Sequence, residues 1–185
     1  MRQVVRSLLA MLVLTTLLGF GYTMLITAIA QLMWADQADG SLVEHDGTVV
    51  GSRLLAQPFA SEEYFWPRPS ASGYNANPDL DPTARSLAYP SNLGPTHPDL
   101  IGAIADGVAR YGEGVPVDLI TRSGSGLDTH ISVAAARWQA PRVASSRGVD
   151  ESTVQALIDD LAEFWIGRRY VNVLELNLAL DEFES

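Results

Sequence analysis

The sequence contains no lysine and no cysteine, so its 12 basic side chains are all arginines. Without lysine, the chain can supply neither the lysine of a phosphate-binding P-loop nor a Schiff-base or general-base lysine. Without cysteine, it forms no disulfide and offers no thiolate for catalysis, for zinc or for an iron–sulfur cluster. These absences exclude several large classes of enzyme and metalloprotein.

Basic charge is also scarce beside acidic charge, because 22 carboxylates give the 185-residue chain a formal charge of −10. A nucleic-acid-binding protein needs a basic face that neutralises phosphates, so no nucleic-acid partner is expected. Charged residues make up only 18% of the chain and apolar residues 47%, which is not the composition of a disordered acidic protein. The apolar residues must be concentrated somewhere.

They are concentrated at the N-terminus, where residues 7–35 carry no charge. About 20 apolar residues in a helix cross the core of a bilayer. We therefore predict that residues 1–35 form an N-terminal stub and one transmembrane helix in the cell membrane, and that residues 36–185 form a separate domain. Arg2 and Arg6 precede the run and carboxylates follow it, so the positive-inside rule places the N-terminus in the cytoplasm and the domain outside.

Two details of this run leave alternatives open. Ala28-Ile29-Ala30 matches a signal-peptide cleavage site, although the apolar run exceeds the 7–15 residues typical of a signal peptide. Cleavage there would release a secreted protein. Gly19 and Gly21 could let a second membrane helix pack closely, or could be there only because glycine is common in such helices.

The remaining 150 residues carry a formal charge of −12 and mix helical and extended patterns. Thr96-His97-Pro98-Asp99 has the form of a capping box and predicts a helix that ends at Gly112 or Gly114. Residues 115–121, VPVDLIT, are rich in β-branched side chains and predict a strand. Ser132 predicts the cap of a short helix that Pro141 ends.

The last part of the chain predicts another helix and an ambiguous segment. Asp150 caps a helical pattern whose core stripe would extend to Phe164 and Trp165. Residues 171–181 carry alternating leucines, which favour a strand, although their composition also allows a helix. The expected fold is a single N-terminal transmembrane helix followed by a mixed α/β (α+β) extracytoplasmic domain.

Residues 67–98 hold most of the prolines and many small polar residues. A stretch this long without secondary structure is usually functional or disordered. Its candidate partner contacts are Tyr74, Asn92 and Leu93.

The densest polar cluster is the sequence from Arg122 to His130, RSGSGLDTH. Ser125, Asp128 and His130 are the residue types of a hydrolase triad, but three residues so close in one loop seldom adopt the required geometry. Asp128 and His130 alone do not specify a metal site, and we predict neither a catalytic nor a metal site. We favour a structural loop, in which glycines allow positive φ and Ser or Asp side chains bond the backbone. The alternative is a loop that contacts a partner or a phosphate. Its candidate contacts are then Ser123, Gly124, Ser125, Gly126, Asp128 and His130.

Six ordered sequence blocks carry a resemblance that covers nearly the whole chain. They are GSRLLAQPF at 51–59, YFWPRPSA at 64–71, SNLGPT at 91–96, VPVDLITRSGSGLDTHIS at 115–132, AAARWQAPRVASSRG at 134–148 and VNVLELNLALD at 171–181. Together with one membrane helix, they resemble the C subunit of the Kdp potassium-transporting P-type ATPase, the KdpC family. Thr129 and Val133 depart from the family's usual L-D-P-H-I-S-P, and Tyr89-Pro90 stands where a glycine pair is common.

The resemblance implies a non-catalytic subunit of an ATP-driven potassium importer. It also implies three partners: a potassium pore subunit, an ATP-hydrolysing P-type subunit and a small single-span subunit. ATP and potassium would be handled by the complex, and this chain would itself bind no cofactor. The family's C subunit is described as needed for assembly and has been proposed to raise the ATP affinity of the ATP-hydrolysing subunit.

That second role rests on a serine–glycine loop, which corresponds here to Ser123, Gly124, Ser125 and Gly126. The predicted orientation speaks against it, because it places the loop on the opposite side of the membrane from cytoplasmic nucleotide. The alternative to an accessory subunit is a membrane-anchored or secreted extracytoplasmic enzyme or binding protein that uses the 123–130 loop.

Overall fold

The computed structural model describes residues 1–70 and 90–183. The chain divides into two compact units, Met1–Leu42 and Val43–Ser185.

The first unit is dominated by one helix, Arg2–Met33. It comprises α1 (Arg2–Leu14), a π-helical segment (Thr15–Tyr22) and α2 (Thr23–Met33), and a short α3 (Ala35–Ala38) follows. Its mean hydropathy reaches 2.0 over 18 residues, none of them buried, so the helix is long and apolar enough to cross a membrane. A helix that is apolar on all sides is typical of a membrane span.

The second unit mixes helices and strands, which confirms the predicted mixed fold. Its elements in chain order are β1 (Leu42–His45), β2 (Thr48–Ser52), α4 (Pro98–Tyr111), a 3₁₀ turn (Val117–Leu119), β3 (His130–Ser132), α5 (Val133–Arg147), α6 (Glu151–Asp160), β4 (Glu163–Trp165), β5 (Arg168–Asn172) and α7 (Val173–Phe183). β1 and β2 form a hairpin. A second sheet has the order β3-β5-β4, with both pairings antiparallel.

The core lies between this three-stranded sheet and the helices α5, α6 and α7. Small alanines on α5 allow close approach, and branched side chains from the other elements fill the space around them. The most deeply buried large apolar side chains are Phe65, Leu119, Ile131, Ile158, Leu176, Val143, Val154 and Val171.

Several helix termini follow the sequence prediction, with one change. Ser132 accepts a hydrogen bond from the N–H of Ala135 at 3.1 Å and caps α5 as predicted. At α4 the capping residue is His97, whose ring accepts from the N–H of Asp99 at 3.2 Å, and not Thr96. Pro98 occupies the first helical position, where its missing N–H is not needed.

Two predictions in the middle of the domain are wrong. Residues 115–121 contain no strand, and their centre, Val117–Leu119, forms a 3₁₀ turn. Leu119 is buried there, and the carboxylate of Asp118 accepts the N–H of Ser132 at 2.8 Å, so the apolar residues serve a tight turn. Pro141 does not end α5, which continues to Arg147. The missing hydrogen bond is offset because the continued helix buries Val143 and Ala144 in the core.

The C-terminal predictions also need correction. Phe164 and Trp165 do not extend the core stripe of α6, because the helix ends at Asp160 and both side chains lie exposed on β4. The ambiguous segment is resolved as β5 up to Asn172 and α7 from Val173.

Candidate functional site

The 123–130 loop is fixed to the segment just after Trp66 by backbone and side-chain contacts. Arg68 pairs with a carboxylate oxygen of Asp128 at 3.2 Å and donates to the carbonyl of Arg122 at 3.2 Å. The hydroxyl of Ser70 donates to the carbonyl of Gly126 at 2.6 Å. These bonds hold the loop against the segment that follows Trp66.

Asp128 and His130 take part in the same internal network. One oxygen of Asp128 accepts the N–H of His130 at 3.0 Å and lies 3.9 Å from its Nδ1. That Nδ1 is 2.9 Å from the hydroxyl of Thr129, while the hydroxyl of Ser125 accepts the N–H of Leu127 at 3.1 Å. In residues 1–70 and 90–183, no serine is hydrogen-bonded to His130, and no group of three His, Asp or Glu side chains is placed to hold a metal ion.

The serines and glycines of the loop divide into a buried and an exposed pair. Ser123 is 3% exposed, and within the described part of the chain its buried hydroxyl has no hydrogen-bond partner. Gly126 is also buried and adopts a φ of 75°, which explains the need for glycine. Gly124 has no positive φ, and it and Ser125 are exposed. Of these four residues, only Gly124 and Ser125 are accessible at the surface.

The other predicted contact residues lie elsewhere. Asn92 is exposed with a φ of 53°, and Leu93 beside it is half-buried. Tyr74 lies outside the described residues. In the membrane helix, Gly19 and Gly21 fall in the π-helical segment, and Gly21 but not Gly19 lines a shallow groove on the helix surface.

Sequence reasoning missed how tightly the segment 62–66 is held. Its five carbonyls each accept a hydrogen bond from a side chain of α5 or α7, which replaces the strand pairing that this segment lacks. The donors are Arg142 for residues 62 and 64, Arg147 for 63, Asn177 for 65 and Gln139 for 66.

Trp66 is the centre of an arginine–aromatic surface that sequence reasoning also missed. The guanidinium carbons of Arg142 and Arg110 lie 3.8 Å and 4.6 Å from the centre of its ring, which is the geometry of cation–π contacts. Burial lowers the pKa of Arg142, while the carboxylate of Glu62, 3.5 Å away, acts in the opposite direction. Tyr111 packs edge-on against Trp66 and completes the surface.

Comparison with known proteins covers almost the whole chain. The profile of the family described as "K+-transporting ATPase, c chain" (KdpC) matches residues 4–182. The chain is 50% identical to the potassium-transporting ATPase KdpC subunit of Sorangium cellulosum, over 95% of each chain. It is 46% identical to that of Rhodospirillum rubrum, over 91% of this chain and 90% of the relative. With the subunit of Mycobacterium tuberculosis the identity is 43%, over 97% and 98%.

Proposed function

The chain belongs to the KdpC family, and from this membership we propose that it is a non-catalytic accessory subunit of an ATP-driven potassium importer, anchored in the cell membrane by its N-terminal helix. Its role is to stabilise the assembly of the potassium pore subunit, the ATP-hydrolysing subunit and a small single-span subunit. The observation that carries the proposal is the near full-length match to KdpC subunits.

The 123–130 loop supports an assembly role more than a chemical one. Arg68 and Asp128 pair with each other, and the loop's own backbone takes up the hydroxyl of Ser125 and one oxygen of Asp128. A surface held in one conformation before binding loses little entropy on association. The exposed pair, Gly124 and Ser125, would then touch the partner, with Asn92 as a further contact.

We place the second unit outside the cell, because Arg2 and Arg6 precede the uncharged run of the N-terminal helix and carboxylates follow it. Raising the ATP affinity of the ATP-hydrolysing subunit is the alternative role, and it requires the opposite orientation. The loop is poor in phosphate-binding charge, because Arg68 already pairs with Asp128 and Arg122 is the exposed arginine next to the serines. ATP and potassium would therefore be bound by the other subunits.

The proposal is tested by co-expressing the chain with the other subunits and purifying the complex in mild detergent. A bulky side chain at Gly124 should break a contact without disturbing the fold, because a Cβ there meets open space. We expect Gly124→Trp to lose co-purification and growth on limiting potassium, while the melting temperature stays within a few degrees.

Gly102→Trp is the matched control, since a Cβ on this exposed position of α4 also meets open space. It should co-purify like the wild type. If the wild-type chain fails to co-purify with the other subunits, the proposed function is wrong. If Gly124→Trp co-purifies normally, only the assignment of the loop is wrong.

A further inference from the structure

The tip of the β4–β5 hairpin exposes three large apolar side chains in a row. Phe164, Trp165 and Ile166 are 73%, 70% and 79% exposed. Scattered apolar residues on a surface need no explanation, but a contiguous exposed patch indicates an interaction site. Trp is also among the residues that contribute most to binding energy at protein interfaces.

The backbone of the tip shows that the apolar residue there is not favoured by the turn itself. Ile166 and Gly167 join the strands with φ of 43° and 79°, the signs of a two-residue type I′ turn. Asn or Gly is preferred at both positions, and a β-branched residue with positive φ is strained. Ile166 therefore sits at the apex against the preference of the local fold, which is common at functional positions.

The hairpin is also held rigidly at its base. β5 is the central strand of the sheet, and Trp165 lies opposite Arg168 in the register next to the turn. Arg169 donates to the carbonyl and a carboxylate oxygen of Asp159 at 2.8 Å and 3.2 Å, and Arg137 donates to both oxygens of the same carboxylate at 2.7 Å. These contacts tie the base of the hairpin to α5 and to the end of α6, next to the apolar tip.

Charge indicates what the tip binds. Arg168 is exposed, and within residues 1–70 and 90–183 it has no acidic partner. A phospholipid surface would also accept an apolar tip with an arginine, but residues 36–185 carry a formal charge of −12, which repels an anionic bilayer. A protein pocket with a carboxylate at its rim satisfies both the apolar tip and Arg168.

We propose that the hairpin tip, Phe164, Trp165 and Ile166, inserts into an apolar, carboxylate-rimmed pocket on another subunit of the potassium-transporting complex. This inference rests on the proposed function and adds a second contact to the one assigned to the 123–130 loop. The three side chains enter the pocket and Arg168 pairs with the carboxylate at its rim.

The first test uses Ile166→Gly in the full chain, co-expressed with the other subunits. Glycine accepts the positive φ, so the melting temperature of the chain should hold or rise. The affinity for the complex should nevertheless fall on the order of tenfold, and Trp165→Ala should weaken it at least as much. Val117→Ala is the control, because Val117 is 61% exposed and lies far along the chain from the tip; it should assemble normally.

The second test uses the absence of cysteine, which makes Ile166→Cys the single labelling site for a polarity-sensitive fluorophore. In nanodiscs of mixed anionic and zwitterionic lipid, the emission of the labelled full chain should shift to the blue only when the other subunits are added. Val117→Cys should not shift.

The outcomes separate the two proposals. Wild-type assembly together with unimpaired tip variants overturns the pocket and leaves the proposed function intact. A blue shift in nanodiscs without the other subunits identifies lipid as the occupant and also overturns the pocket. Failure of the wild type to assemble overturns both.

Discussion

The side chain of Asn177 pairs with the backbone of Phe65 as a neighbouring strand would. Its Oδ1 accepts the N–H of Phe65 at 2.8 Å and its Nδ2 donates to the carbonyl of Phe65 at 3.0 Å. Gln139 makes the same pair of bonds with Trp66, at 2.9 Å and 3.1 Å. Two amide side chains from α7 and α5 thus stabilise a segment that has no strand to pair with, and they hold Trp66 beneath its two arginines.

We therefore expect Asn177→Ala to destabilise the domain strongly. The substitution leaves the N–H and the carbonyl of a fully buried residue without partners, at a cost of about 2–5 kcal/mol. Denaturant unfolding of the full chain in detergent measures this free energy. Gln155→Ala is the control, because among the described residues its amide bonds only to Glu151 on the surface of α6. It should change the free energy of unfolding by about 0.5 kcal/mol or less. If Asn177→Ala lowered the free energy of unfolding no more than the control does, the two hydrogen bonds to Phe65 would not stabilise the domain.

The same asparagine explains why the sequence left the end of the chain ambiguous. The buried residues of α7 include Val173, Leu174, Leu176, Asn177 and Leu180, which lie on one face of a helix. With Asn177 read as polar, the remaining leucines alternate and imitate a strand. The helical pattern becomes visible only when the asparagine is known to be buried against Phe65, and that contact spans 112 residues.

The sequence predicted features that depend on neighbouring residues, and its predictions failed where contacts between distant parts of the chain determine the structure. The long apolar helix at the N-terminus and the cap at Ser132 depend on adjacent residues, and both are confirmed. Helix α5 continues past Pro141 because Val143 and Ala144 are buried in the core, which the local sequence pattern does not show. At the candidate site, sequence reasoning found the 123–130 loop. It missed the contacts of Arg110 and Arg142 with Trp66. The only hint of them in the sequence is that arginines are few.

Gly107 on α4 should not tolerate even alanine. A Cβ there would lie 2.5 Å and 2.9 Å from side-chain atoms of Ile120. The side chain of Ile120 therefore packs directly against the backbone of α4 at Gly107. We expect Gly107→Ala to lower the free energy of unfolding by about 1–3 kcal/mol through overpacking. Gly102→Ala on the same helix meets open space and should raise it by about 0.5–1 kcal/mol. Equal signs for the two variants in thermal or denaturant unfolding would contradict this packing.

Asp159 should make the base of the β4–β5 hairpin sensitive to acid. Hydrogen bonds from Arg137, and the charges of Arg137 and Arg169, hold the pKa of Asp159 below its ordinary value. A depressed pKa in the folded state means that the stabilisation is present above the unfolded pKa, about 3.9, and is lost as the pH falls through the folded value.

The variant Asp159→Asn should therefore be less stable than the wild type at neutral pH, and the difference should shrink on acidification below about pH 4. It should also shrink in high salt, because the carboxylate is exposed. Asp160→Asn is the control, since within the described chain Asp160 makes no ion pair. A difference independent of pH would show that the ion pairs contribute nothing.

Asp128 and Asn92 should separate a structural role from a contact role. Asp128→Ala removes a carboxylate that pairs with Arg68, whose side chain is only 23% exposed, and the acceptor for the N–H of His130. We expect a loss of about 1–3 kcal/mol in unfolding free energy, with any loss of assembly following from it. Asn92→Gly keeps the positive φ and removes only the exposed amide, so it should weaken assembly at an unchanged melting temperature. Both the melting temperature and co-purification are measured for each variant. A lower melting temperature for Asn92→Gly would contradict the contact role of Asn92.

Membrane orientation decides between the assembly role and a role in ATP affinity, and the cysteine-free chain allows a direct measurement. Gln3→Cys lies in the first turn of the N-terminal helix, before its uncharged run, and Glu113→Cys lies in the exposed turn after α4. In the proposed orientation, with Arg2 and Arg6 on the cytoplasmic side, a membrane-impermeant thiol reagent should label Glu113→Cys once any outer envelope is opened. Gln3→Cys should react only after the membrane is dissolved, and the wild type should never react.

The reverse pattern would place Ser123 to Gly126 on the side of cytoplasmic nucleotide. The exposed Gly124 and Ser125 would then have access to the ATP-hydrolysing domains, and the ATP-affinity role would replace assembly as the leading function of this loop.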